Sequence, residues 1–214
     1  MTTSTAVNPA RRSFLMRLAA AATALGVSTP AVVGGEPSDH ASQADEPWMR
    51  RLSGSQRVVF HAHEPTNGLA LTWARTFLDT HKNTYGHRDE ECGVVVALNG
   101  KSVGLTFNDA LWSRYPIAST LAMTGTKNPA GPTGSGAIAQ LIARGVIVLV
   151  CQNSLRASGL RFLPEPQRSD AATRTAFAEE VTANLLPGIE IVPAMVVTLQ
   201  QAQDRGCRYV YAGG

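Results

Sequence analysis

Chemistry in this 214-residue chain rests on three cysteines and five histidines. Cys151 directly follows the apolar run Val146–Val150 and precedes Gln152-Asn153-Ser154-Leu155-Arg156. An apolar run rich in β-branched residues that gives way to a polar segment reads as a buried strand passing into a helix. That puts the thiol at the carboxyl end of a strand, the edge where open parallel sheets bind ligands. With Asn153 or Ser154 as the helix cap, unpaired backbone N–H groups and the helix dipole favour a thiolate, the reactive form of cysteine, and Arg156 adds positive charge. Cys151 equally suits an inert role, because a free cysteine often serves as a small buried hydrophobe. His61 and His63 close a second apolar run, Val58–Phe60. Their spacing sets both imidazoles on one side of an extended chain, which allows metal ligation, but no clear third ligand accompanies them. No metal and no cofactor is therefore expected, and a solvated or capping role competes for both histidines.

The elements that must position these groups alternate. Val58–His61 precedes a helix-length pattern over 69–79. Gly93–Leu98 precedes a looser segment containing Ala110-Leu111-Trp112. Val146–Val150 follows a helix around 138–143, Ile189–Val192 precedes a helix over 194–203, and Arg208–Tyr211 closes the series. Short, near-continuous Val/Ile runs between helices predict parallel strands buried on both faces. The fold class that follows is α/β: a three-layer α/β/α sandwich around a mostly parallel sheet of about five strands. Cys92 and Cys207 begin strands and Cys151 ends one. A strand of about five residues spans ~16 Å, whereas disulfide Cα atoms lie within ~7 Å, so Cys151 should pair with neither inside one subunit.

Three blocks resemble a known family: Gly93-Val-Val-Val-Ala-Leu-Asn-Gly100, Gly145–Arg156 with its cysteine after the third strand, and Leu186-Pro-Gly-Ile-Glu-Ile-Val-Pro-Ala194 with Ala202–Tyr211. In order and spacing they look like the DsrE/DsrF-like (YchN-like) family over about Val58 to Tyr211. The resemblance implies a flavodoxin-like strand order 2-1-3-4-5 and a homo- or hetero-oligomer. It also implies a sulfane sulfur carried as a persulfide on Cys151 and passed to a thiol or sulfur-carrier protein. In that order strands 1 and 3 are neighbours, so one crevice would bring His63 or His61 towards Cys151 as a base. Strands 2 and 5 would be opposite edges, separating Cys92 from Cys207 and leaving three free thiols. The alternative is a non-catalytic ligand-binding or assembly protein with the same fold and a structural Cys151, since fold does not fix function.

Ahead of the domain, Arg11-Arg12-Ser13-Phe14-Leu15 and the Ala-rich run to Val27 read as a secretory leader, a basic region before an apolar segment too short to span a bilayer. Arg11, Arg12, Phe14 and Leu15 resemble the twin-arginine consensus, which implies export to the periplasm of a protein already folded. Residues 1–35 are read as this signal, 36–56 as a flexible linker, and 57–214 as the domain. Membrane association is expected only through an uncleaved signal. The formal charge of +3 comes from Arg11, Arg12 and Arg17, so the rest of the chain is neutral and offers no basic surface to nucleic acid. Gly131-Pro-Thr-Gly-Ser-Gly136 lacks the ending of a phosphate loop and reads as a flexible loop. Residues 120–132 suit a lid or a subunit contact. Asn108 or Asp109 should cap a helix start, and His81 and His87 are expected to be solvated.

Overall fold

A computed structural model describes residues 46–213. Arg11, Arg12, Phe14 and Leu15, and residues 36–45 of the expected linker, lie outside the described residues. In chain order the elements are α1 Pro47–Arg51, β1 Gln56–Ala62, α2 Leu69–Tyr85, β2 Cys92–Leu98, α3 Asp109–Arg114, α4 Ile117–Thr120, α5 Ala137–Ala143 and β3 Ile147–Cys151. They continue with α6 Gln152–Phe162, α7 Glu165–Arg168, α8 Ala171–Ala183, β4 Glu190–Val192, α9 Met195–Asp204 and β5 Arg208–Tyr211. All five strands are parallel, and helices cover both faces of the sheet, as the α/β/α expectation required.

The strand order is β4-β3-β2-β1-β5, not the expected 2-1-3-4-5. β1 pairs directly with β2 over its whole length, from Gln56 opposite Cys92 to Ala62 opposite Leu98, and β2 pairs in turn with β3. The physical reason is visible in β2, whose seven residues are all buried. A strand without a polar face or a guarded edge belongs in a sheet's interior, not at the border that the flavodoxin order assigns it. The edges are instead β4 and β5. Cys92 and Cys207 are still kept apart. β1 lies between their strands, and their side chains join clusters on opposite faces of the sheet. All three cysteines are free thiols.

Alternation along the strands sorts the core. Val58, Phe60, Val94, Val96 and Val148 face α2 and α5, packing on Leu71, Ala74, Leu78, Ile138 and Leu141. Val59, Val95, Ala97, Ile147 and Leu149 face the other way, onto α9 and α1. A third cluster joins Val150 to α3, α4, α6 and α8 through Leu111, Trp112, Ile117, Leu155, Phe162 and Phe177.

Order does not begin near Arg57. The stretch read as a linker contains α1, whose Trp48 and Met49 are 1% and 7% exposed within the α9-side cluster, joined there by its C-cap Leu52 at 8%. Five helical residues are too few to show a period, so residue patterning carries no sign of it. The segment is held close to the sheet: a Cβ on Gly93 would lie 2.3 Å from Ser53 O, and Arg51 pairs with Glu190 of β4.

The loop expected as a lid is pinned as well. Asn128, fully buried, donates from Nδ2 to Leu105 O at 2.7 Å and Phe107 O at 2.6 Å, and Asp109 Oδ1 accepts from Asn128 N. Asn108 caps α3, accepting from Leu111 N at 3.2 Å. Ile117 and Leu121 pack at home.

Trp48→Ala removes the largest side chain that α1 contributes. It should lower unfolding stability by about 3–5 kcal/mol in urea melts. A loss under ~0.5 kcal/mol would contradict the docking of α1.

Candidate functional site

The site occupies the carboxyl ends of the strands, where each chain segment leaves the core. Cys151 is the last residue of β3 and itself the N-cap of α6, with φ −77° and ψ 120°. Its thiol makes no capping bond. The side chain is 4% exposed and belongs to the apolar cluster beneath α9, with Ala97, Leu149, Val192 and Met195. The sulfur therefore points into the sheet's α9 face instead of onto the open rim. The cap is neither Asn153 nor Ser154. Asn153 is exposed, while Ser154 Oγ accepts from Gly100 N at 3.0 Å, fastening the β2 exit to the first turn of α6. Arg156 is exposed and lines a groove of about 720 Å³ between α6 and α8, beside Gln152, Arg174 and Glu179.

His61 lies on the same sheet face as Val59 and is half-buried. Its Nδ1 is 2.9 Å from Tyr209 Oη and its Nε2 is 3.0 Å from Asn99 Oδ1, and its ring also meets that of Tyr211 at 5.6 Å. One neutral tautomer satisfies both hydrogen bonds: Nε2–H donates to Asn99 and Nδ1 accepts from the Tyr209 hydroxyl. Burial pushes the His61 pKa below the ordinary value, the Asn99 bond opposes this, and His63 adds a small push downward. With both nitrogens engaged, His61 is a fixed neutral group and not a free base.

His63 is exposed and packs over the β2 exit. A Cβ on Gly100, whose φ is +57°, would lie 2.5 Å from His63 Nε2, so this position requires glycine. His63 Nδ1 stands 3.4 Å from Glu64 Oε1, and Lys101 Nζ is 3.2 Å from Glu64 Oε2. His63 O accepts from Lys101 N and Ser102 N. These contacts close the gap between the ends of β1 and β2.

Because β2 stands between β1 and β3, the expected shared crevice for the histidines and Cys151 is absent. Asn99 takes that place. His61, Ala97 and Leu149 form one register row, and two residues further along Asn99 reaches the level of Cys151 on the neighbouring strand. The observed line is thus Tyr209–His61–Asn99, ending beside the strand that carries the thiol. Asn99, Tyr209 and Tyr211 were missed as site residues. Only Asn99 left a trace in the sequence, as the first polar residue after an all-apolar run. Among the described residues no group of three or more His, Cys, Asp or Glu side chains could hold a metal ion. His81 and His87 lie away from this rim and are not simply solvated. Their rings meet at 5.3 Å, tilted by 50°, near the end of α2, with His81 Nδ1 buried and without a hydrogen-bond partner.

No family model matches this chain, and no curated protein matches it. Among solved structures it is similar to MTH1491, a protein of unknown function from Methanobacterium thermoautotrophicum. The two share 20% sequence identity, with 73% of this chain and 99% of the other covered, at a TM-score of 0.43. No helix among the described residues is long and apolar enough to cross a membrane.

The lowered pKa of His61 has a definite sign in stability. As pH falls below about 6.5 the unfolded chain takes up the proton first, so folding stability declines until the folded-state pKa is passed. His61→Gln should flatten this part of the stability–pH curve. His81, lowered in the same direction, will retain part of the slope. Equal slopes in wild type and variant, from urea melts between pH 7.5 and 5, would contradict the assignment.

Proposed function

We propose that the chain is an exported member of the DsrE/DsrF-like class that accepts and passes on sulfane sulfur as a persulfide on Cys151. The observation that carries this reading is the place of the thiol. It is the last residue of a central strand and the cap position of α6, with the polar line through Asn99 and His61 on the neighbouring strands. In the loading step the Cys151 thiolate attacks the outer sulfur of a donor persulfide. A Cys151–sulfur bond forms as the donor's S–S bond breaks, and the donor leaves as a thiolate. In the second step an acceptor thiolate takes the same sulfur and Cys151 leaves. The sulfane sulfur is passed on without net oxidation. Asn99 is suited to hold one hydrogen bond toward the bound sulfur while its other end stays on His61.

The twin-arginine motif at Arg11 and Arg12 supports delivery of the folded protein to the periplasm, where donor and acceptor would also have to reside. The 4% exposure of Cys151 favours a second reading, in which the thiol is a packing residue and the chain is a binding or assembly protein. Loading requires the α9 end near Met195 to yield.

Incubation with glutathione persulfide, followed by intact-mass measurement, separates the two. Wild type should gain the mass of one sulfur atom, and Cys151→Ala should gain none. Equal gain in both proteins, or gain in neither, defeats the carrier reading. Under it, Asn99→Ala should slow loading about tenfold without abolishing it, read by stopped-time mass spectrometry.

A further inference from the structure

The two edges of the sheet are protected unequally. β4 is three residues long, is bracketed by Pro187 and Pro193, and carries Glu190 in an ion pair with Arg51. Each of these discourages a further strand from adding there. β5, Arg208-Tyr209-Val210-Tyr211, has three strong strand formers among its four residues, no proline or glycine, and β1 as its one neighbour among the described residues.

Its backbone direction is fixed. Ala212 N donates to His61 O at 2.7 Å, so Arg208, Val210 and Ala212 turn their backbone groups toward β1, while Tyr209 and Tyr211 turn theirs outward. The two tyrosine side chains share the His61 face and are 44% and 46% exposed. We infer that β5 pairs with β5 of a second copy of this chain, antiparallel about a two-fold axis, in the register centred on Val210.

That register follows from three constraints. Residues directly opposite each other in an antiparallel pair share a face, and the outward-turned residues must form the hydrogen-bonded pairs. Within Arg208–Tyr211, only the Val210-centred register uses both outward residues. It sets Tyr209 opposite Tyr211 of the second copy at both ends of the pair, an aromatic cross-strand arrangement. Arg208 then faces Ala212, whereas centring the pair on Arg208 would place two guanidinium groups side by side. The area involved predicts a weak dimer. With about 200 Å² available per tyrosine, the four half-exposed rings remove roughly 350 Å² from water, far below the ~1,600 Å² of a standard interface. The expected Kd is about 10 μM or weaker.

Sedimentation of the full chain should show concentration-dependent self-association in this range. Tyr211→Lys, which places a charge on the edge, should weaken it at least tenfold while leaving the circular dichroism spectrum intact. The register is read by mild oxidation of Tyr209→Cys and Tyr211→Cys variants, singly and mixed. The native thiols, 7% exposed or less, contribute little background. A disulfide joining the thiol introduced at position 209 of one copy to that at position 211 of the other should form in the equimolar mixture, several-fold more than any cross-link in either variant alone. A monomer at every concentration, cross-linking as strong in a single variant as in the mixture, or association unaffected by Tyr211→Lys would each overturn the inference.

Discussion

β2 runs from Cys92 to Leu98 with every side chain buried, and a strand with no polar side is stable only where something covers each face and a strand flanks each edge. β1 and β3 supply the edges. On one face α2 and α5 provide an extensive apolar layer. On the other, α9 has only ten residues, and α1 completes the cover with Trp48 and Met49. The helix in the stretch expected to be a tether is thus a consequence of the sheet. Burying Trp48 and its neighbours gains several kcal/mol, enough to order five residues whose local propensity would leave them unfolded.

The same constraint locates the polar chemistry. Apolar strands can bear hydrogen-bonding side chains only where they emerge from between the helices, so Asn99 follows β2 and His61 sits in the last turn of the pleat of β1. His61 then meets the cost of partial burial with two hydrogen bonds, to Asn99 and Tyr209, which fix its orientation, while burial itself favours the neutral ring. Cys151, one strand further from His61, makes no such bond and shares its pocket with Val192 and Met195. Reactivity at this thiol depends on how readily α9 gives way, which connects any sulfur chemistry to local motion on the thinner side of the sandwich.

Much of the architecture is legible from residue types. Val94-Val95-Val96 and Val148-Leu149-Val150 announce buried parallel strands, and the helical patterns between them announce the layers. Cys151 at the end of its run announces a carboxyl-edge position. The neighbours of each strand were harder to read. Order 2-1-3-4-5 and order 4-3-2-1-5 use the same strands, the same connections and nearly the same apolar periodicity. They differ in which strand must tolerate an open edge, and the complete absence of polar residues in β2 was the available clue.

The sequence by itself determined the α/β class, the positions of the strands and the separation of Cys151 from the other two cysteines, because these depend on local periodicity and on the length of a strand; that Cys92 and Cys207 stay apart was decided by β1 lying between their strands. Only the tertiary structure decided that Asn99, not a histidine, stands nearest in register to Cys151, that Tyr209 orients His61, and that residues 47–51 cover the sheet. Each of these is a contact between segments tens of residues or more apart in the chain. Such contacts are fixed by strand adjacency and by the competition to cover apolar surface, and no local spacing of residues encodes them.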